Sequence, residues 1–348
     1  MKKCVRVLAA MLAVLTMVSL SGCTSQEEAD GLRTIDVCEV THSVFYAPQY
    51  VAMSQGFFAE EGLSVELTVG QGADKVMAAV LSGSVDIGLA GPEAAIYVMG
   101  EGREDYPQVF AQLTQRDGSF LVGREPDEDF QWEDLKGSHL LPGRKGGVPY
   151  MTLEYVVREH GLTPGEDVLF DDSVDFSLMA SAFAAGTGDY VTIFEPTASA
   201  MEMQGQGYIL ASVGEASGEV PFTAYFAAGS KIEEDPELFE GFTRAVYRGQ
   251  KWVEEHSAEE VAEVLQPYFA DTDLEVLVSV VENYKAIDAW AHTPVMSRPG
   301  FEKLQDIMQQ AGQLEERVAY DDLVNTEFAE RVTAEEALKR SPAAKQSH

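Results

Sequence analysis

The chain predicts an α/β fold of two similar lobes facing one shared cleft, and three observations predict it. Residues 83–98, Gly-Ser-Val-Asp-Ile-Gly-Leu-Ala-Gly-Pro-Glu-Ala-Ala-Ile-Tyr-Val, read as a tight turn, an apolar strand, a second turn at Gly91 and a helix opened by Pro92. Proline suits a helix start because its missing N–H has no partner there. The same order of glycine, two residues, aspartate, apolar strand and proline-opened helix returns in Gly186-Thr-Gly-Asp189-Tyr-Val-Thr-Ile-Phe-Glu195-Pro196. Either copy alone is ordinary loop chemistry; the doubled arrangement points to duplicated lobes. Thirdly, strand and helix signals alternate at lengths that favour a mainly parallel, buried sheet. A strand that runs into a helix N-terminus aims free N–H groups at the space beyond it, where open α/β sheets bind ligands.

The elements follow in order. Residues 1–22 read as a signal peptide: Lys2, Lys3 and Arg6, then the apolar run Leu8 to Leu20, too short to span a bilayer stably. Leu20-Ser-Gly-Cys23 looks like a bacterial lipobox, which implies cleavage before Cys23 and lipid on its sulfur. Residues 23–33 are then a lipidated, polar and acidic tether.

The first part of lobe 1 is expected over 34–124. Its strands are Ile35 to Thr41, Ser64 to Val69 and Val85 to Leu89, with helices from Pro48 to Phe58 and Lys75 to Leu81. Two more strands, Val109 to Gln115 and Phe120 to Gly123, are joined by a turn at Asp117-Gly118, and the acidic stretch Glu125 to Asp129 is the expected first crossing between lobes. Lobe 2 is expected over 125–218. It holds strands at Ser138 to Leu141, Asp167 to Phe170 and Tyr208 to Val213, helices from Pro149 to His160 and Phe176 to Ala185, and the second copy of the strand–helix device. Gly214 to Val220 is the return crossing, and Phe222 to Ala227 is a strand back in lobe 1. The second part of lobe 1, 219–330, is otherwise helical, with capping boxes at Ser257-x-x-Glu260 and Thr272-x-x-Glu275 and a helix after Pro299, all expected to pack on that lobe. The tail is 331–348, with Thr333 capping a short last helix.

Composition excludes several classes. With 58 acidic against 24 basic residues the formal charge is −34, and loss of the three basic residues of the leader takes it to −37. That excludes a nucleic-acid footprint and adhesion to anionic lipid. Cys38 would be the one cysteine besides Cys4 and Cys23, so no disulfide forms within the mature chain, and it reads as a small buried hydrophobe. The six histidines lack metal-ligand spacing, and there is no Cys-x-x-Cys, Walker loop, third glycine after Gly70-x-Gly72 or Gly-x-Ser-x-Gly elbow. No metal, cofactor or catalytic constellation is expected, and hence no enzyme.

From Thr34 to Phe328 the sequence resembles the solute-binding proteins of bacterial ABC importers, closest to the nitrate/sulfonate/taurine and thiamine-pyrimidine-precursor group. The resemblance rests on Pro48, Ala52, Gly56-Phe57-Phe58-Ala-Glu-Glu-Gly62-Leu63-Ser-Val65, Gly83-x-x-Asp86, Asp134-Leu-Lys-Gly137, Gly161-Leu162, Asp167, Gly186-x-x-Asp189, Glu195-Pro196 and Asp321-Asp-Leu-Val-x-x-x-Phe328. It implies a two-lobed periplasmic-binding-protein-like fold (type II), with two crossings between lobes that close on a ligand. It also implies a monomer held at the outer face of the cell membrane, with ABC permease and ATPase subunits and a small-molecule ligand as partners. Tyr190 departs from the usual alanine. The cysteine-rich motif of pyrimidine-synthase enzymes of the same fold is missing, which counts against that activity.

The cleft walls should come from turns at strand ends: His42, Ser43 and Tyr46; Gln71; Gly91 and Pro92; Gly146 and Gly147; Phe194 and Glu195; Phe222 and Thr223. An oxyanion such as an alkyl sulfonate, taurine or nitrate would use the N–H groups at Gly91, Gly146 and Gly147, with Arg144. An ionised Glu195 would oppose an anion and accept N–H donors, and Tyr46, Phe194 and Phe222 offer flat walls. The balance favours a thiamine-pyrimidine-like nitrogen heterocycle.

Overall fold

The computed structural model describes residues 31–340. The signal peptide, Cys23 and most of the tether lie outside the described residues, as does the end of the expected tail. Ten strands form two five-stranded sheets. The first contains β1 (Arg33–Glu39), β2 (Leu63–Val69), β3 (Ile87–Ala90), β4 (Pro107–Thr114) and β10 (Thr223–Ala228), in the order β2-β1-β3-β10-β4. The second contains β5 (Ser119–Gly123), β6 (His139–Leu141), β7 (Leu169–Phe170), β8 (Tyr190–Phe194) and β9 (Tyr208–Ser212), in the order β7-β6-β8-β5-β9.

The two sheets share one plan. In each, three strands run parallel and the fourth runs antiparallel to both its neighbours. That fourth strand, β10 or β5, is the one that has just arrived from the other sheet. The repeated Gly-x-x-Asp acts within this plan. Gly83 ends the helix Ala73–Ser82 in the left-handed conformation at φ 72°, which glycine adopts without a Cβ penalty. Asp86 then accepts the Asp36 N–H at 3.1 Å, and Asp189 accepts the His139 N–H at 2.8 Å. Each aspartate pins its own strand to the neighbouring one, so the duplication is real while the aspartates themselves serve the sheets.

The first crossing lies earlier than expected. The sequence places β5 in lobe 1 with the crossing at Glu125 to Asp129, yet it pairs with β8 and β9 in the second sheet. The chain therefore changes lobes over residues 115–118. Asp117-Gly118 resembles a hairpin turn locally, but all of β5 is buried and its ladder partners belong to lobe 2. The return crossing runs beside it: the Val220 N–H donates to the Gln115 carbonyl at 2.8 Å and the Phe222 N–H to the Thr114 carbonyl at 3.2 Å. The short helix Val213–Ser217 occupies part of the return, and a Cβ at Gly214 would stand 2.0 Å from the Asp117 carbonyl oxygen.

The helical part also differs in places. The expected helix from Pro48 to Phe58 is broken at Gly56, φ 73°, into Ala47–Ser54 and Phe57–Glu60. The Ser257 capping box forms, but the next helix, Leu274–Ala286, starts after Asp273 and not from a Thr272 box. The last helix, Glu327–Arg340, runs unbroken through the start of the expected tail; Thr333 donates to the Ala329 carbonyl inside it at 2.7 Å and Val332 is buried. The amphipathic helix Pro236–Glu255 packs on Ala47–Ser54, as a lobe 1 helix should. The later helices do not all stay with lobe 1: Leu274–Ala286 reaches the helix Thr197–Met203 and Arg298–Gln310 reaches Val148–Glu159, both of lobe 2. One apolar core consequently runs through both lobes, with a smaller cluster inside lobe 2. Buried Cys38 contributes to the former, and Tyr190 flanks the latter, its ring 6.1 Å from Phe130.

Candidate functional site

Where the lobes meet, aromatic rings gather around Phe45. Ser43 caps a one-turn helix, Val44–Tyr46, by accepting the Phe45 N–H at 3.2 Å. This turn carries Phe45 inward to lie 5.6 Å from Phe222, 6.0 Å from Phe194, 5.1 Å from Tyr284 and 6.1 Å from Tyr46, between ring centroids. Phe222 and Phe194 are 6.1 Å apart, and half-exposed Phe176 extends the row beside Phe194. Such spacings suit tilted and edge-on packing. The crossing strand lies directly on this group, since a Cβ at Gly118 would stand 2.5 Å from the Phe45 ring. Three of the expected walls, Tyr46, Phe194 and Phe222, thus come together through Phe45. Sequence reading missed Phe45 because Phe45 and Tyr46 are adjacent aromatics and only the turn geometry decides which becomes central. It missed Tyr284 because that residue reads as helix packing.

Buried carboxylates lie near Tyr46 and Tyr284 of this group. Glu195, 2% exposed, accepts the Ser199 N–H at 2.9 Å, the Ser199 hydroxyl at 2.8 Å and Asn283 Nδ2 at 2.7 Å. The Glu195-Pro196 peptide bond is cis. Glu93, 4% exposed, is the lobe 1 counterpart, one residue after Pro92 where Glu195 is one before Pro196. Its side chain folds back over Gly91, so that a Cβ there would meet Glu93 Oε2 at 2.0 Å. Burial pushes its carboxyl up to about 7, against the opposing pull of the Glu93 and Ala94 amides, the Arg144 charge and the Val148 amide of lobe 2. Asp117 in the first crossing is also fully buried and likewise pushed up to about 7 by burial, although its Oδ1 accepts the Ser119 N–H at 2.7 Å and hydroxyl at 2.6 Å. Burial holds the Tyr46 and Tyr284 phenols well above the ordinary range, with nearby carboxylates adding to it.

The remaining expected residues divide. Gly91 and Pro92 are buried beneath Glu93, and Gly147 caps the helix Val148–Glu159. The Tyr97 hydroxyl of lobe 1 donates to the Gly146 carbonyl at 3.4 Å, and Arg144 lies 3.4 Å from Asp74 at the exposed rim. With Asn283 on Glu195, these contacts hold the lobes together across the cleft. His42 lies outside the ring group. It stacks on Phe269 at 4.5 Å, donates from Nε2 to the Tyr268 carbonyl at 2.9 Å, and sits 3.3 Å from buried Glu39, whose hydrogen bond raises its pKa against the effect of burial. Glu39 in turn accepts from Gln49 and Tyr50. Gln71 is exposed at a left-handed turn, φ 60°. Thr223 opens β10 next to the return crossing, its hydroxyl 2.7 Å from that of Thr114 in β4. Among the described residues no group of three His, Cys, Asp or Glu side chains is arranged to hold a metal.

Known proteins share this sequence and architecture. Residues 40–266 match the NMT1-like family. The "Putative binding protein YtlA" of Bacillus subtilis is 45% identical over 323 residues, covering 93% of this chain and 96% of that protein. Among solved structures, the alkanesulfonate-binding protein SsuA from Xanthomonas axonopodis, bound to MOPS, matches with a TM-score of 0.66 at 17% identity, covering 84% of this chain and 98% of that one. The periplasmic nitrate-binding protein NrtA from Synechocystis matches with a TM-score of 0.65 at 16% identity, covering 90% and 91%. The two-lobed fold is that of the periplasmic binding proteins.

Proposed function

The chain belongs to the NMT1-like family, and from that premise we propose that it is an extracytoplasmic solute-binding protein that captures a small molecule between its lobes and delivers it to an ABC permease and its ATPase. Likeness to a protein named as a binding protein over nearly the whole chain supports this, as does a fold shared with sulfonate- and nitrate-binding proteins. The lipobox at Leu20-Ser-Gly-Cys23 supports anchoring by lipid at the outer face of the cell membrane. The sheet change at residues 115–118 and the return near 213–222 would form the hinge between the lobes.

The ligand is a flat nitrogen heterocycle of the thiamine-pyrimidine kind. One observation carries this: of the buried carboxylates, Glu195 directly follows Phe194, Asp117 precedes the Gly118 that lies on the Phe45 ring, and Glu93 lies near Tyr46. At about 4 Å, like charges repel by about 4 kcal/mol at an effective dielectric near 20, which disfavours an anion beside whichever of them is ionised. The second reading, an alkyl sulfonate, taurine or nitrate, draws on the Gly146-Gly147 turn that opens the helix Val148–Glu159. Titration calorimetry of the mature protein against an aminopyrimidine and an alkyl sulfonate separates the two. Tight aminopyrimidine binding weakened by Glu195→Gln supports the heterocycle. Tight sulfonate binding strengthened by Glu195→Gln overturns it.

A further inference from the structure

Glu93 Oε2 and Asp117 Oδ2 are buried and have no hydrogen-bond partner among the described residues. Native interiors leave few such atoms, because each forfeits its water without replacement. Neutralising the carboxyls does not remove the problem, since a protonated oxygen then needs an acceptor. Glu195, the third carboxylate, has both oxygens partnered, by Ser199 and Asn283, whereas Asp117 is partnered at Oδ1 alone.

The two carboxylates flank one aromatic group. Glu93 lies near the Tyr46 phenol and Asp117 near that of Tyr284, and these two rings pack on Phe45 at 6.1 Å and 5.1 Å. Around Glu93 stand Tyr46 and Tyr97 of lobe 1 and Arg144 and the Val148 amide of lobe 2. Around Asp117 stand Ser119 and Tyr284.

We propose that Glu93 and Asp117 are specificity-determining ligand contacts, each accepting an N–H from one flat ligand, so that the site selects nitrogen bases with amino donors on two edges. This rests on the heterocycle reading above and narrows it. A site that leaves a buried acceptor unpaired when a donor is missing discriminates strongly against the ligand lacking it.

The test is calorimetry of the full mature protein, its Glu93→Gln variant and its Asp117→Asn variant against 2,4-diaminopyrimidine, 4-aminopyrimidine and pyrimidine. The diamino compound should bind at least about tenfold more tightly than the monoamino one, and pyrimidine most weakly. Each variant should cut the preference for the second amino group to about threefold or less. Equal binding of all three by the wild-type protein overturns the inference and leaves the heterocycle reading standing, as does a preference that survives both substitutions. The wild-type order decides the matter alone if a variant fails to fold. Binding of methanesulfonate in place of the pyrimidines overturns the underlying reading, and absence of binding by every probe counts against both.

Discussion

Asn283 Nδ2 donates to Glu195 Oε1 over 2.7 Å, tying the helix Leu274–Ala286 to the strand–helix turn of lobe 2. A bond to a charged acceptor in a buried place contributes about 1.5–3 kcal/mol. Asn283→Ala should therefore lower stability by about 1–3 kcal/mol in urea unfolding. It should also loosen the approach of the lobes, enlarging the ligand-free radius of gyration in small-angle scattering. Unchanged stability and size would show that this bond does not help hold the cleft closed.

The pairing of β4 with β10 beside the crossings makes an asymmetric prediction. The Thr223 N–H donates to Thr114 Oγ1 at 2.9 Å, while the two hydroxyls are 2.7 Å apart. Thr114→Val leaves a buried backbone N–H without an acceptor and should cost about 1–3 kcal/mol. Thr223→Val removes only the hydroxyl pair and should cost about 1 kcal/mol or less. Equal losses in chemical denaturation would mean that the Thr223 N–H finds another acceptor.

The buried carboxyls give stability a pH dependence. Glu93 and Asp117 stand at about 7 in the folded protein, above the values they take when unfolded. Between the ordinary carboxylate range and 7 the folded state holds protons that the unfolded state has lost, so ionisation opposes folding. Their favourable contribution is complete below about pH 4 and disappears as pH rises through 7, on the order of 3 kcal/mol for each group. His42, raised by Glu39, works in the same direction above its ordinary value. Depressed carboxylates such as Asp171 and Asp235 lose their contribution only at lower pH, as it falls through their folded values. Ligand-free protein should thus be more stable in urea at pH 5 than at pH 8, and Glu93→Gln should flatten the difference. A profile that rises from pH 5 to pH 8 would be incompatible with burial holding these two groups above the ordinary carboxylate range.

Anchoring can be tested in cells. If Cys23 carries lipid, Cys23→Ala should leave the protein soluble or unprocessed after fractionation. Retention in the membrane fraction at the mature mass would exclude the lipid anchor.

The repeated strand–turn–helix device was legible because each copy is set by local chemistry: a left-handed glycine, an aspartate that pins the adjacent strand, and a proline-opened helix. Tyr46, Phe194 and Phe222 were legible as flat residues at strand ends. The first crossing was not, because Asp117-Gly118 has the local signature of a hairpin turn, and only the pairing of β5 with β8 and β9 shows that the chain leaves the sheet. Glu93 was hidden for a related reason. A glutamate in the first helical turn reads as a dipole partner, and its burial depends on Gly91 beneath it and Val148 from the other lobe. His42 was misplaced because its partners Tyr268 and Phe269 come from far along the chain.

The two crossings meet at Gly214, where the backbone of one strand presses on the helix of the other. A methyl group there would stand 2.0 Å from the Asp117 carbonyl oxygen and 3.0 Å from its amide nitrogen. Neither is the flexible end of a side chain, so the crossing itself must move. Gly214→Ala should cost at least about 1–3 kcal/mol, the usual range for overpacking, although alanine is the better helix former. Gly100 provides the comparison: it ends the helix Glu93–Gly100 and a Cβ there meets nothing within 4 Å. Gly100→Ala should be neutral or stabilise by up to about 1 kcal/mol, because it only narrows the unfolded ensemble. The two variants should differ as well in ligand-free scattering, since displacement at Gly214 would shift the two crossings proposed to join the lobes. Matching stabilities and scattering profiles would show that the crossings yield easily and do not set the angle between the lobes.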